Sequence, residues 1–180
     1  MRLKSIAALV LVTFALTAVA RAQSADTTAP TFKSFYNYSK QNILGSAEKM
    51  PAEHFSFKPT PEVRTYAAIF GHIMNTNYPA CAALKGEPNP NKDDFEKTAK
   101  TKEEVVKALK ASFDYCDEAL KNVTDATFKE TFKSGTRDVP KTSPFMLIVA
   151  HNFEHYGNLV TYMRMKGIVP PSSEPPPQKK

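Results

Sequence analysis

Apolar positions recur at helical spacing in four stretches, separated by segments rich in proline, glycine and charge. In the first stretch, Phe32, Phe35, Tyr36, Ile43, Ala47 and Met50 predict a helix from about Thr31 to Met50, stopped by Pro51. Residues 52–59 hold His54, Phe55 and Phe57 between prolines; too short for a further helix, they read as a packed connector. The second stretch opens at Thr60-Pro61-Glu62, where threonine can cap, proline suits the first helical position and glutamate complements the positive end of the helix dipole. Its stripe is Ile69, Ile73, Ala80 and Leu84, with His72 on the same face, and Gly86 and Pro88 end it. Residues 87–100 read as a polar loop. Thr101-Lys-Glu-Glu104 is a capping box for the third helix, whose seam runs Val106, Leu109, Phe113, Cys116, Leu120 and Val123. Residues 124–141, with Gly135 and Pro140, form a long connection with room for a short extended piece. Ser143-Pro144 caps and starts the fourth helix, which runs to about Lys166; Gly167 suits a left-handed terminator and Pro170 lies just beyond. Four amphipathic helices of roughly 20 residues and one long link predict an all-α fold, a four-helix bundle with a long crossover connection.

The ends of the chain change this picture. Arg2 and Lys4 precede an apolar run from Ile6 to Ala20, and Ala20-Arg-Ala22 forms a small-x-small site before Gln23. This is the layout of a cleaved secretory signal peptide at residues 1–22, and the run is short for a span, which needs about 20 apolar residues. No later stretch is apolar enough to cross a bilayer. The expected product is therefore exported, periplasmic or secreted, with no stable membrane anchor. Residues 23–30 are expected to be a disordered lead-in, 31–169 the bundle, and 170–180, with five prolines, a disordered or extended tail. The whole chain carries a formal net charge of +6. Arg2, Lys4 and Arg21 leave with the leader, so 21 Lys and Arg then face 18 Asp and Glu, about +3. Scattered lysines without interleaved aromatics exclude a nucleic-acid stripe. Cys81 and Cys116 are either a disulfide formed in an oxidising compartment or two small buried residues.

The candidate chemistry lies on the fourth helix. His151 and His155 are four apart, so both imidazoles leave one face, which otherwise carries Ile148, Leu159, Tyr162 and Lys166. Two inward histidines one turn apart are half a metal site, and His72 on the second helix supplies a third nitrogen. Three protein ligands with an open position for water is the form of a catalytic-type divalent centre. The alternative is histidines that are hydrogen-bonded core residues. His151-Asn-Phe-Glu154-His155 also matches the inverted zinc-protease motif. That motif needs a distant third ligand, and the only acid among the 25 residues after His155 is Glu174. Asn75, Thr76 and Asn158 follow the histidines by three or four residues and could orient the imidazoles or a metal-bound water, or simply bond between helices. Tyr36, Tyr78 and Tyr162 could line a pocket or pack in the core, Arg164 suits a helix C-terminus, and His54 lies apart in the connector.

Phe70-Gly-His72-Ile, His151-x-x-x-His155-Tyr-Gly-Asn-Leu-Val-Thr-Tyr-Met-Arg164-x-x-Gly167-Ile-Val-Pro-Pro and Lys58-Pro-Thr-Pro61-Glu-Val-Arg64 resemble the DinB-like (DinB/YfiT) superfamily of metal-binding four-helix bundles. The resemblance covers about residues 31–172. It implies a bundle whose first and last helix pairs are linked by a crossover. It also implies a Zn- or Ni-type divalent ion held by His72, His151 and His155, and often a homodimer. Members of known activity often act as thiol-dependent S-transferases or isomerases, which implies a metal-dependent transferase or hydrolase with a small-molecule substrate. Whether the chain is an enzyme stays open against a non-catalytic metal- or ligand-binding, stress-associated bundle and against a purely structural one.

Overall fold

A computed structural model describes residues 27–175. The leader expected at 1–22, residues 23–26 of the lead-in and residues 176–180 of the tail lie outside the described residues. Four long helices form the bundle: α1 (Thr28–Lys49), α2 (Tyr66–Lys85), α4 (Lys102–Lys121) and α6 (Thr142–Met165). Two short helices, α3 (Phe95–Thr98) and α5 (Asp125–Phe128), sit in the connections, and β1 (Thr131–Ser134) pairs antiparallel with β2 (Arg137–Pro140) in the link before α6. The expected long connection thus contains a hairpin, turned by Gly135 at φ 61°.

Helices α1 and α2 each pack against α4 and α6. The diagonals are therefore α1/α2 and α4/α6, so the chain crosses the bundle from α1 to α2 and again from α4 to α6, while α2 and α4 are neighbours. This arrangement makes α2 and α6 neighbours, which the histidines require. The core holds Tyr36, Ile43 and Met50 from α1 and its end, Tyr66, Phe70 and Ile73 from α2, Leu109 and Phe113 from α4, and Phe145, Ile148 and Leu159 from α6, all at most 2% exposed. Burying each such side chain is worth about 1.5–3 kcal/mol before entropy is charged. Cys81 on α2 and Cys116 on α4 are joined by a disulfide with Cα atoms 5.3 Å apart, so the open alternative resolves to a bridge between adjacent helices. On α1, the stripe differs at Phe35, which is 51% exposed, with its ring in an edge contact with Phe153.

Several boundaries differ from expectation, each because a tertiary partner replaces a local signal. Helix α1 starts at Thr28, inside the expected lead-in: Thr27 makes no side-chain cap, and the Asp125 carboxylate takes the Ala29 amide instead. Helix α2 starts six residues after Thr60. Thr65 is its cap, accepting from Ala68 N at 3.2 Å, while the amides of Tyr66 and Ala67 are held by Phe57 and Phe55 carbonyls. Those bonds fix residues 58–65 as a loop, so Pro61 marks a turn and not a helix start. Ser143 is not the cap of α6, which begins one residue earlier at Thr142. Pro170–Glu174 is also not free: Ser172 bonds the Tyr156 hydroxyl at 2.7 and 2.9 Å, Pro171 lies against Gly45, and Glu174 pairs with Lys49. The Thr101–Glu104 capping box forms, and Gly86 and Gly167 adopt φ 71° and 72° as left-handed terminators.

Candidate metal centre

His72 stands on α2, one turn after Ile69 in the buried stripe; His151 and His155 stand on the face of α6 turned towards α2. One ligand atom from each of the three lies within 4.8 Å of the others. The ring centroids are 4.9 Å apart for His72–His151, 4.8 Å for His72–His155 and 4.3 Å for His151–His155. His54 is not in this cluster, and Glu154 of the protease-like motif is exposed on the outer side of α6.

Each imidazole has a second contact. The Glu96 carboxylate accepts from His72 Nδ1 at 3.1 Å, which leaves Nε2 as the free lone pair of His72. Thr76 Oγ lies 3.2 Å from His151 Nε2, and the Asn158 amide nitrogen lies 3.2 Å from His155 Nδ1. Asn75, by contrast, touches no imidazole. Its amide donates to Asp94 at 2.7 Å and its oxygen accepts from Phe95 N at 3.0 Å, so it clamps α3 onto α2. Gly71 completes that clamp: a Cβ there would lie 2.5 Å from both Cα and N of Glu96, so only glycine lets the turn come this close. The Phe70-Gly-His72 motif thus serves two ends, one histidine and the docking of the turn that carries its carboxylate.

Burial, followed by the positive potential of His155, His72 and Arg64, pushes the His151 pKa down to about 4. Burial, then His72, also lowers His155, with Glu154 and Glu96 acting the other way. These two imidazoles are therefore neutral at pH 7, the form that ligates metal. The donors also fit an ion better than they fit one another. His151 and His155 turn their Nε2 atoms to each other at 3.1 Å, a contact that one proton must serve, and buried His151 Nδ1 has no partner among the described residues. With Asn158 donating to His155 Nδ1, that proton sits on His155 Nε2. To hold a metal through Nε2, His155 would carry its proton on Nδ1, and Asn158 would turn its amide to offer the oxygen. Three imidazoles with an open side suit Zn, Ni, Co, Cu or Fe.

The open side leads into a cleft of about 490 Å³ lined by Pro59, Glu62, Val63, Arg64, Ile69 and Glu96, with His155, Asn158 and Tyr162. Arg64 and Glu96 were not foreseen from sequence. Arg64 could have been noticed, since it ends the Lys58–Arg64 motif, but its place depends on the loop that replaces the expected helix start. Glu96 gave no signal in a segment read as polar loop. Of the tyrosines, Tyr162 lines the cleft and donates to the Arg64 carbonyl at 2.8 Å. Tyr36 is buried against Asp117 on α4, and Tyr78 stacks on Phe95. Arg164 donates to Ser173 near the end of α6.

Fold and site together define a crossed helical bundle with three converging histidines at one open seam. The sequence matches the DinB superfamily over residues 36–159, more than half of the chain, and the protein belongs to that family. Solved structures agree on the fold. A DinB-like protein from Bacillus cereus superposes with a TM-score of 0.64 at 18% identity, covering 78% of this chain and 93% of that one. A DinB-like protein from Bacillus subtilis gives 0.61 at 20% identity, with 76% and 92% covered. A conserved protein from Enterococcus faecalis gives 0.61 at 12% identity, with 79% and 97% covered. No curated protein matches the sequence.

Proposed function

We propose that this DinB-superfamily protein is exported and holds one divalent ion, of the Zn or Ni class, through His72, His151 and His155, for a transfer reaction on a small molecule bound in the adjoining cleft. The observation that carries the reading is the convergence of three ligand atoms within 4.8 Å beside an open cleft. When bound, such an ion lowers the pKa of a thiol or water in its open position and polarises a substrate. The chain's own groups orient and enclose. Glu96 keeps the His72 proton on Nδ1, Thr76 and Asn158 direct the other two rings, and Tyr162, Ile69 and Val63 give the cleft an apolar wall. The acids nearby favour transfer over hydrolysis. Glu96 is engaged by both His72 and Arg64, Glu154 faces solvent, and Glu62, the other carboxylate of the cleft, is exposed in the loop before α2 and bonds none of the histidines, so none is both free and positioned at the histidines to take a proton from an attacking water. A thiol needs no such base once it is metal-bound. Export is supported by the leader-like N-terminus and by the Cys81–Cys116 disulfide, a bond that persists in oxidising compartments.

The test is metal content of the purified protein, followed by a screen of thiols with electrophilic acceptors on wild type and His151→Ala. The expected result is near-stoichiometric metal and a turnover lost in the variant. Absence of bound metal, with a melting temperature indifferent to chelator, sinks the metal reading; full metal occupancy without metal-dependent turnover leaves a binding protein in its place.

A further inference from the structure

The cleft beside the histidines carries a second recognition element. Arg64 is fixed at two points: its carbonyl accepts from the Tyr162 hydroxyl at 2.8 Å, and its Nε donates to one Glu96 oxygen at 3.0 Å. The other Glu96 oxygen is on His72. The two terminal amino groups of the guanidinium have no protein partner among the described residues, although the side chain lines the cleft. An arginine held only for structure would spend its fork on the carboxylate in the two-bond arrangement. Here one N–H of five is used. At 41% and 32% exposure the Arg64–Glu96 pair also adds little to stability. Its effect is to aim the fork.

We infer that the cleft takes a small molecule bearing a carboxylate on an apolar body, with the carboxylate on Arg64 and the other end directed to the histidine centre. Pro59, Val63, Ile69 and the Tyr162 ring supply the wall for the apolar body, and His155 and Asn158 line the same space. A planar carboxylate matches two parallel N–H donors. A dianion such as phosphate is disfavoured, because Glu62 and Glu96 also line the cleft and add like charge. An anionic ligand lying between guanidinium and metal would meet attraction at both ends. The inference rests on the metal reading only for the far end of the ligand; the Arg64 end is open to test without metal.

The experiment uses metal-free, nitrogen-labelled protein and follows the arginine Nε–H resonances during titration with pentanoate, pentanamide and inorganic phosphate. Pentanoate is expected to shift Arg64 saturably and to bind at least about tenfold more tightly than pentanamide, as a charge-assisted contact requires. Arg137 and Arg164 should stay in place, and Arg64→Gln should bring acid and amide to equal affinity. Equal affinity in wild type, movement of Arg137 and Arg164 alongside Arg64, phosphate binding more tightly than pentanoate, or an acid preference that survives in Arg64→Gln would each overturn the inference. Metal content is read on a separate sample, so a protein that takes no metal but selects pentanoate fails the first reading and passes this one.

Discussion

Gly71→Ala separates the docking of α3 from the stability of the bundle. The added Cβ would stand 2.5 Å from Glu96 Cα and N and 2.6 Å from Phe95 C, all backbone atoms that cannot swing aside. Carbon contacts settle at about 3.5–4.0 Å, so the turn must withdraw by about 1 Å. The turn carries Glu96, whose contact with His72 Nδ1 is 3.1 Å; a retreat of that size takes it to about 4 Å, outside hydrogen-bond range. The two Asn75 bonds to Asp94 and Phe95 are strained by the same step. Overpacking of this kind costs about 1–3 kcal/mol, while replacing glycine by alanine inside a helix returns about 1 kcal/mol. Global stability should therefore fall by only about 0–2 kcal/mol. Metal affinity should fall more, by about 10–100-fold, the usual cost of removing a carboxylate behind a ligating histidine. Gly157→Ala is the matched control, since a Cβ there meets nothing within 4 Å; it should stabilise α6 by about 0.4–1 kcal/mol and leave affinity alone. Urea unfolding of metal-free protein gives the first quantity and chelator competition the second. Wild-type affinity in Gly71→Ala, or equal affinity losses in both variants, would refute the account of how His72 is held.

Four further outcomes are expected. Saturating metal should stabilise the protein by about 2.7 kcal/mol at a hundredfold excess over Kd, and His72→Ala should abolish most of that gain in a thermal melt with and without chelator. Metal-free protein should lose stability as pH falls from about 6.5 to about 4. The native His151 pKa is depressed to about 4, so the unfolded chain binds the extra proton in that window, and the contribution of His151 should flatten below it. Discounted for the partial exposure of His151, its share of the loss is about 1–2 kcal/mol, and His151→Gln should remove that share from a urea-midpoint series across the range and leave the contribution of His155, whose pKa is also lowered. Replacing Cys81 and Cys116 by serine opens a link of sequence separation 35 and should cost about 3–4 kcal/mol by chain entropy, read from denaturant midpoints under non-reducing conditions. Asn152 is fully buried with neither amide atom partnered among the described residues, so Asn152→Leu should raise the urea midpoint, by about 1–3 kcal/mol in stability; a lowered midpoint would mean that the amide is satisfied by groups such as bound water.

What could be read from the chain alone is what depends on local geometry. His151 and His155 share a face because a helix turns once in about 3.6 residues, whatever surrounds it. The seam of α4 and its capping box follow from the same periodicity and from one short-range exchange of hydrogen bonds; the box forms, and the seam holds from Leu109 to Val123, while at its start Val105 is the fully buried residue in place of the expected Val106. Asn75 shows the limit of that logic. Its spacing from His72 placed it on the right face but not on the right partner, because the partner, α3, arrives from a segment without periodicity. The start of α2 shows the same limit. Thr60-Pro61-Glu62 is a sound local signal, and it loses to two backbone bonds from Phe55 and Phe57 that only the folded chain can supply.

The two residues that periodicity could not find are those that most narrow the function. Three histidines on two helices say that a cation fits. They do not say what meets it, since imidazoles accept many ions and an open position accepts many ligands. Arg64 comes from the loop before α2 and Glu96 from the short helix α3 after it, and Glu96 touches both Arg64 and His72, so the histidine end and the open end of the cleft share one carboxylate. A ligand that draws Arg64 away from Glu96 would strengthen the hold of Glu96 on the His72 proton, because the carboxylate would then answer to one partner instead of two. Carboxylate binding should in that case tighten metal binding, and by linkage the metal should tighten carboxylate binding by the same factor. Chelator competition run with and without pentanoate measures that factor directly. A factor of one would mean that the two ends of the cleft act independently despite the shared carboxylate.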